Sequence, residues 1–211
     1  MKKRKSRALT ALAVLVVLAA IVAAAMKLGL FERKNTVRDE PVPDWVDVQL
    51  IDIDGASRRG VKLEEINDIV VHYVGNPGTT AQQNRNYFNN PDSEVSSHFV
   101  IGLDGEVIQC VPLDEKSSAT SERNRDTISI EVCHPDETGA FSPAAYQQVV
   151  ELTAWLCRTF RLDPETEVIR HYDVTGKVCP RYYVENPDAW DAFRADVAAE
   201  MEVQEAAEEA G

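Results

Sequence analysis

The sequence predicts an α/β fold in which a single mixed β-sheet is flanked by helices, preceded by one N-terminal transmembrane helix. Short apolar runs with strand character alternate along the chain with amphipathic helical segments, as expected when helices cover one sheet. The length of 211 residues suits one domain with extensions. A long uncharged run near the N-terminus predicts the membrane helix.

Basic side chains within residues 1–7 precede an uncharged run of 19 residues from Ala8 to Met26. A helix of that length rises about 28 Å, close to the hydrocarbon thickness of a bilayer. The positive-inside rule keeps residues 1–7 in the cytoplasm and places the rest of the chain outside. We therefore expect a single-pass protein of the cell membrane with an extracytoplasmic domain. Cleavage after Ala25, as in a signal peptide, is the alternative and would give a secreted protein.

The remaining chain divides into three predicted parts. Residues 27–45 are polar and rich in proline, which indicates a linker, 46–199 form the folded domain, and 200–211 are an acidic tail. Residues 1–34 hold eight basic residues and one acid (+7), whereas the rest holds 14 basic and 34 acidic residues (−20). An acidic domain argues against nucleic-acid binding, which requires neutralisation of phosphates. We expect a monomer.

The first half of the domain predicts a strand, a helix and a hairpin. Ile66–Val74 is apolar at nearly every position, as in a strand buried on both faces. Thr80 and Gln83 have the spacing of a capping box and predict a helix through residue 88. Asp104-Gly105 joins two apolar runs and predicts a tight hairpin turn.

The second half predicts a strand, a long helix, a short strand and a final helix. In Thr127–Cys133 the apolar side chains alternate with Ser129, Glu131 and Cys133, which therefore share the opposite face. Ser142-Pro143 has the pattern of an N-cap and first helical residue. The remaining elements are a strand at Val168–Arg170 and an amphipathic helix marked by Trp190, Phe193 and Val197.

One group of residues has the character of a metal site. His171 and Cys179 lie eight residues apart across a loop that contains a glycine, and zinc accepts both imidazole and thiolate ligands. His72, a lone polar ring in an apolar strand, is the third candidate ligand. Three protein ligands leave a fourth position for water, as in catalytic zinc sites. From spacing alone, a hydrogen-bonded core histidine is the commoner role of a residue such as His72, and both interpretations stay open.

Four segments together resemble the zinc-dependent N-acetylmuramoyl-L-alanine amidases, the family that includes phage lysozyme-type amidases and peptidoglycan recognition proteins. The segments are Ile69–Tyr73, Val95–Ile101 with Asp104-Gly105, Thr127–Val132, and Arg170-His171 through Cys179-Pro180. The resemblance covers residues 67–183 and is greatest to the branch of phage endolysins and Gram-positive cell-wall hydrolases.

The resemblance implies a hydrolase that cleaves the amide bond between N-acetylmuramic acid and L-alanine in peptidoglycan. By the same resemblance, His72, His171 and Cys179 bind Zn²⁺. Glu131 matches the carboxylate that acts as general base, and Lys177 matches a lysine that stabilises the developing oxyanion. The implied partners are peptidoglycan or muropeptides, together with the membrane through the N-terminal helix.

The sequence departs from the family at one position and leaves some roles unassigned. Some family members have a catalytic tyrosine where this chain has Ser97, so we expect catalysis to depend on Glu131. His98 and His134 receive no role, and no substrate-binding residue is identified. The cysteines other than Cys179 are predicted to be buried small hydrophobic residues.

Two other functions remain compatible with the sequence. The first is a peptidoglycan-binding module that does not cut, although such modules lack the metal ligands that are present here. The second is a thiol hydrolase with Cys179 as nucleophile and His171 as base.

Overall fold

The computed structural model describes residues 37–53 and 55–209. The elements in chain order are β1 (Val46–Val48), β2 (Asp68–Tyr73), α1 (Ala81–Phe88), β3 (Phe99–Ile101), β4 (Val107–Gln109), a 3-10 helix (Ser121–Arg125), β5 (Thr127–Val132), α2 (Pro143–Phe160), β6 (Val168–Arg170), α3 (His171–Thr175), α4 (Arg181–Glu185) and α5 (Pro187–Glu209). The transmembrane helix predicted at residues 8–26 lies outside the described residues. Among the helices of the described part of the chain, none has the length and apolar character needed to cross a membrane.

The six strands form one sheet in the order β1-β4-β3-β5-β2-β6. The β3 and β4 strands are antiparallel, as expected for a hairpin around Asp104-Gly105, and every other neighbouring pair is parallel. The predicted mixed sheet flanked by helices is therefore confirmed. The central strands β2 and β5 are the longest and are buried over most of their length.

Two helices begin at the caps that the sequence predicts. The Thr80 hydroxyl accepts from the Gln83 backbone N–H, and the Gln83 side chain accepts from the Thr80 N–H, which completes a capping box at α1. At α2, the Ser142 hydroxyl accepts from the Ala145 N–H and proline occupies the first turn. These bonds fix where each helix begins relative to the strand or loop before it.

The sheet has a different core on each face. On one face, α2 packs against apolar side chains of β2 and β5, including Ile69, Ile128 and Ile130, and α5 packs against α2 in the same core. On the other face, a smaller apolar cluster lies under α1 and includes Val100 and Cys133. The alternation predicted for β5 is observed, because its isoleucines face the larger core while Glu131 faces the α1 side of the sheet.

The residues just before and just after the predicted domain, at 37–45 and 200–209, make contacts with the domain. Val37 and Val42, within the stretch predicted to be a linker, contact the larger core. The α5 helix continues to Glu209, and the Gln204 amide donates to the Glu151 carbonyl oxygen of α2 at 3.1 Å. The predicted domain boundaries at residues 46 and 199 remain predictions.

His98 immediately precedes β3 and lies in a buried hydrogen-bond network. Its Nδ1 accepts from the Ser129 backbone N–H at 3.0 Å, and its Nε2 lies 2.9 Å from the Glu115 carbonyl oxygen. These partners suit the neutral ring that is protonated at Nε2. Burial lowers the pKa of His98 to about 4, and the nearby Glu115 opposes this shift only in part.

We therefore expect His98 to make the fold sensitive to acid. Below pH ~6.5 the unfolded chain binds a proton at His98 that the folded protein does not bind, so stability falls as the pH decreases from about 6.5 to about 4. The contribution is on the order of 3 kcal/mol at ~1.36 kcal/mol per pKa unit. Urea unfolding of the parent and of His98→Gln at both ends of this range measures it. Equal pH dependence in the two proteins would contradict the assignment.

Candidate functional site

The register of β2 and β5 brings His72 and Glu131 together near the carboxyl ends of these two strands. β2 and β5 are parallel, and His72 is the register partner of Glu131. Side chains at paired positions of neighbouring strands project from the same face, and here His72 Nδ1 lies 3.8 Å from Glu131 Oε1. Both residues are near the carboxyl ends of their strands, the edge at which ligands bind in open α/β sheets.

His171 reaches the same place from the other neighbour of β2. In the parallel pairing of β2 with β6, Val71 is the partner of Arg170, so His171 follows at the level of His72. The chain turns into α3 at that residue. The two imidazole rings have centroids 4.5 Å apart and are tilted by 50°.

Backbone hydrogen bonds hold Cys179 beside the two histidines. The short helix α3 ends at Gly176, whose φ of 76° is readily adopted by glycine. The chain then turns back, and the Tyr172 N–H donates to the Cys179 carbonyl oxygen at 2.9 Å. The backbone of Tyr73 at the end of β2 is near the Cys179 sulfur and lowers the pKa of the thiol in part, against the larger effect of burial. The loop therefore presents the thiol to the end of the central strand.

The cluster of His72, His171 and Cys179 fits a metal ion. One ligand atom from each residue lies within 4.8 Å of the others, and the residues are only 1%, 7% and 2% exposed, respectively. His171 Nδ1 is buried and has no hydrogen-bond partner among the described residues. Two imidazoles and one thiolate are a donor set that zinc accepts. A cation would give the orphaned nitrogen a partner and stabilise the thiolate.

The carboxyl group of Glu131, which lies beside the cluster, has a strongly shifted pKa. Burial raises the pKa of Glu131 to about 8, while the Lys177 ammonium opposes this shift. Glu131 Oε2 is buried without a hydrogen-bond partner in the described part of the chain. Burial also raises the pKa of Cys179 to about 12 and lowers the pKa of His72 and His171. Burial therefore disfavours charge on all three residues of the cluster, while the exposed Lys177 lines the same cleft.

The cluster lies at the bottom of a cleft of about 680 Å³. His72, Glu131, His171, Lys177 and Cys179 all line it, so the structure places the five predicted site residues together. One wall consists of α1 and the loop before it, which sequence reasoning did not identify. The polar and aromatic residues of this wall are Asn76, Thr79, Gln83, Asn84 and Tyr87. The capping box predicts α1, but no local pattern indicates which face of the helix borders the cleft.

Other residues considered from the sequence lie away from the cleft. His98 is fully buried in its own network, and His134 is 1% exposed and packs against the ring of Tyr73. Ser97, at the position where some family members have a tyrosine, is fully buried and donates to the Phe99 carbonyl oxygen at 2.6 Å. The other three cysteines are all buried free thiols: Cys110, Cys133 and Cys157.

A family model and individual relatives of this chain carry the same family description. A family model described as N-acetylmuramoyl-L-alanine amidase (Amidase_2) matches residues 62–182, more than half of the chain. The N-acetylmuramoyl-L-alanine amidase BlyA of Bacillus subtilis (strain 168) is 30% identical over 171 residues, which cover 72% of this chain and 46% of BlyA. The N-acetylmuramoyl-L-alanine amidase CwlL of Bacillus licheniformis is 30% identical over 158 residues, covering 67% of this chain and 43% of CwlL. The chain thus spans less than half the length of these relatives.

Solved structures have the same fold. A mutant endolysin from Bacillus subtilis is 26% identical, with a TM-score of 0.63 over 72% of this chain and 97% of that protein. The catalytic domain of XlyA is also 26% identical with a TM-score of 0.63, over 72% of this chain and 98% of that domain. The family match covers β2 to α4, which carry every residue of the metal cluster and Glu131. The chain belongs to the N-acetylmuramoyl-L-alanine amidase family.

Proposed function

We propose that this protein is a zinc-dependent hydrolase that cleaves the amide bond between N-acetylmuramic acid and L-alanine in peptidoglycan. The observation that carries the proposal is the buried cluster of His72, His171 and Cys179 beside Glu131 in a cleft that can admit substrate. The names of the relatives that match most of this domain support the same bond.

His72, His171 and Cys179 would hold the metal ion. Bound Zn²⁺ supplies a Lewis acid that polarises the scissile carbonyl and lowers the pKa of water. All three residues line the cleft, so an ion that they held would border the space available to substrate. Because the residues that hold the ion come from β2, α3 and the loop after α3, their positions depend on the sheet register and on the loop hydrogen bonds.

Glu131 would move the proton during the reaction. Its Oε1 faces His72 and the cleft, so it can accept a proton from the attacking water and pass it to the leaving amine of L-alanine. Burial keeps its pKa near neutrality, which suits a group that both accepts and donates a proton. Lys177 at the cleft rim would stabilise the negative charge that develops on the carbonyl oxygen.

We also propose that residues 8–26 anchor the enzyme in the cell membrane, with the catalytic domain on the outer side. The basic residues before this uncharged run and the polar stretch after it support this arrangement. It would place the domain next to the cell wall. Cleavage after Ala25 would instead release the domain, and the intact mass of the protein recovered from cells distinguishes the two forms.

The thiol-hydrolase alternative is less well supported by the site. Burial raises the pKa of Cys179 to about 12, so the free thiol is not activated as a nucleophile. Burial lowers the pKa of His171, which disfavours the imidazolium that would stabilise a thiolate. A thiol enzyme would survive a metal chelator and lose activity on alkylation.

Mass analysis of digested peptidoglycan tests the proposed bond. We expect the full chain to release stem peptides that begin with a free L-alanine amine, leaving intact lactyl groups on the glycan. The reason is that hydrolysis of this amide adds water between the muramic acid carbonyl and the L-alanine nitrogen. Products cut within the stem peptide or within the glycan would contradict the proposal.

A further inference from the structure

Thr120 lies against His72 on the side away from the cleft. Its side-chain Oγ1 is 3.2 Å from His72 Nε2, and the residue is fully buried. The other ring nitrogen, Nδ1, faces Glu131, which lines the cleft, whereas Thr120 does not line it. The two nitrogens of His72 therefore have different environments: Nε2 faces Thr120, and Nδ1 lies on the side of Glu131.

The loop that carries Thr120 is held by side-chain hydrogen bonds. The Asn124 Oδ1 accepts from the backbone N–H of Ala119 at 3.0 Å and from that of Thr120 at 2.6 Å. Ser121, the next residue, has a φ of 54°, in the left-handed region that non-glycine residues rarely adopt. Such backbone persists only where the surrounding structure determines it. The loop therefore fixes the Thr120 hydroxyl in one place relative to β2.

The partner of Nε2 decides which nitrogen of His72 can bind a metal ion. A neutral imidazole carries one N–H and one lone pair. If Nε2 carries the proton and donates to Thr120 Oγ1, the lone pair of Nδ1 is free for the ion. If Nδ1 carries the proton, it points towards the Glu131 carboxylate, and that nitrogen cannot be a ligand. The Thr120 hydroxyl lies within hydrogen-bond distance of Nε2 and can accept from it, which corresponds to the first form.

We propose that Thr120 is a positioning residue that accepts a hydrogen bond from His72 Nε2–H and thereby presents His72 Nδ1 to the metal ion. The inference rests on the proposed zinc site and adds to it a residue outside the ligand set. Partners of this kind orient metal-bound histidines, and their loss typically costs about 10–100-fold in metal affinity. Thr120→Val keeps the shape of the side chain but leaves Nε2–H without an acceptor, whereas Thr120→Ser keeps the hydroxyl.

The test measures zinc affinity in the full chain by competition with a chromophoric chelator. We expect Thr120→Val to weaken zinc binding by about 10–100-fold and Thr120→Ser to stay close to the parent. Melting temperatures of the zinc-free proteins report any general loss of stability. Equal zinc affinity in the parent and Thr120→Val would overturn the proposal. A parent that binds no zinc would overturn both this proposal and the zinc site on which it rests. Equal affinity in two zinc-binding proteins would overturn only the role of Thr120.

A second measurement needs no variant. Long-range ¹⁵N–¹H correlation spectra of the zinc-free parent distinguish the two neutral forms of His72, and the chain has only four histidines to assign. We expect the proton on Nε2. A proton on Nδ1 would overturn the proposal even if Thr120→Val fails to fold.

Discussion

Glu131→Gln is expected to lower kcat on peptidoglycan by about 10²–10⁴-fold while leaving bound zinc unchanged. The amide has nearly the shape of the carboxylate but cannot accept the proton of the attacking water. Glu131 Oε1 lies 3.8 Å from His72 Nδ1 and lines the cleft, so the substitution acts at the reacting atoms without removing a predicted ligand. Steady-state rates on soluble muropeptides, with zinc content by mass spectrometry, measure both effects.

The matched control is Glu205→Gln, on the exposed surface of α5. It makes the same chemical change away from the cleft and should leave kcat unchanged. A Glu131→Gln protein that retains zinc and hydrolyses muropeptides at the parental rate would show that another group moves the proton.

Cys179→Ala is expected to remove both zinc binding and activity. Cys179 supplies the thiolate of the three-ligand cluster, and alanine has no donor atom. The parent should gain about 4 kcal/mol of unfolding free energy when zinc exceeds its Kd by about 1,000-fold, since zinc binds the folded chain. The variant should lose this zinc-dependent gain. Thermal unfolding of each protein with zinc and with a chelator measures the difference.

Cys157→Ala is the control for the loss of a buried thiol. Cys157 is fully buried in α2 within the larger core, away from the metal cluster. This variant should be less stable than the parent with and without zinc, yet keep the zinc-dependent gain. A Cys179→Ala protein that gains as much stability from zinc as the parent would remove Cys179 from the ligand set.

Local patterns in the sequence predicted much of the fold, because they report contacts between residues close in the chain. The capping box at Thr80 and the alternation in β5 both appear in the structure. His72 was identifiable because an unpaired imidazole in an apolar strand requires a partner. The approach of His171 to His72 depends on the pairing of β2 with β6, which no single segment encodes.

The parts of the site that the sequence did not reveal lie in loops and on helix faces. Thr120 belongs to a polar loop without periodicity, and its contact with His72 spans 48 residues of chain. The α1 wall of the cleft has polar residues whose orientation is set by packing of Ala81 and Phe88 on the sheet and by hydrogen bonds from Arg85 to the segment after β1. Such contacts follow from the assembled sheet rather than from any local motif.

Zinc titration of the chelator-treated full chain tests whether the metal cluster is required for hydrolysis. We expect activity on peptidoglycan to be lost when zinc is removed and to return in proportion to added zinc, with its maximum at one ion per chain. That result is expected because His72, His171 and Cys179 form one cluster of three ligand atoms. Full amide hydrolysis by protein shown to contain no zinc would contradict the account.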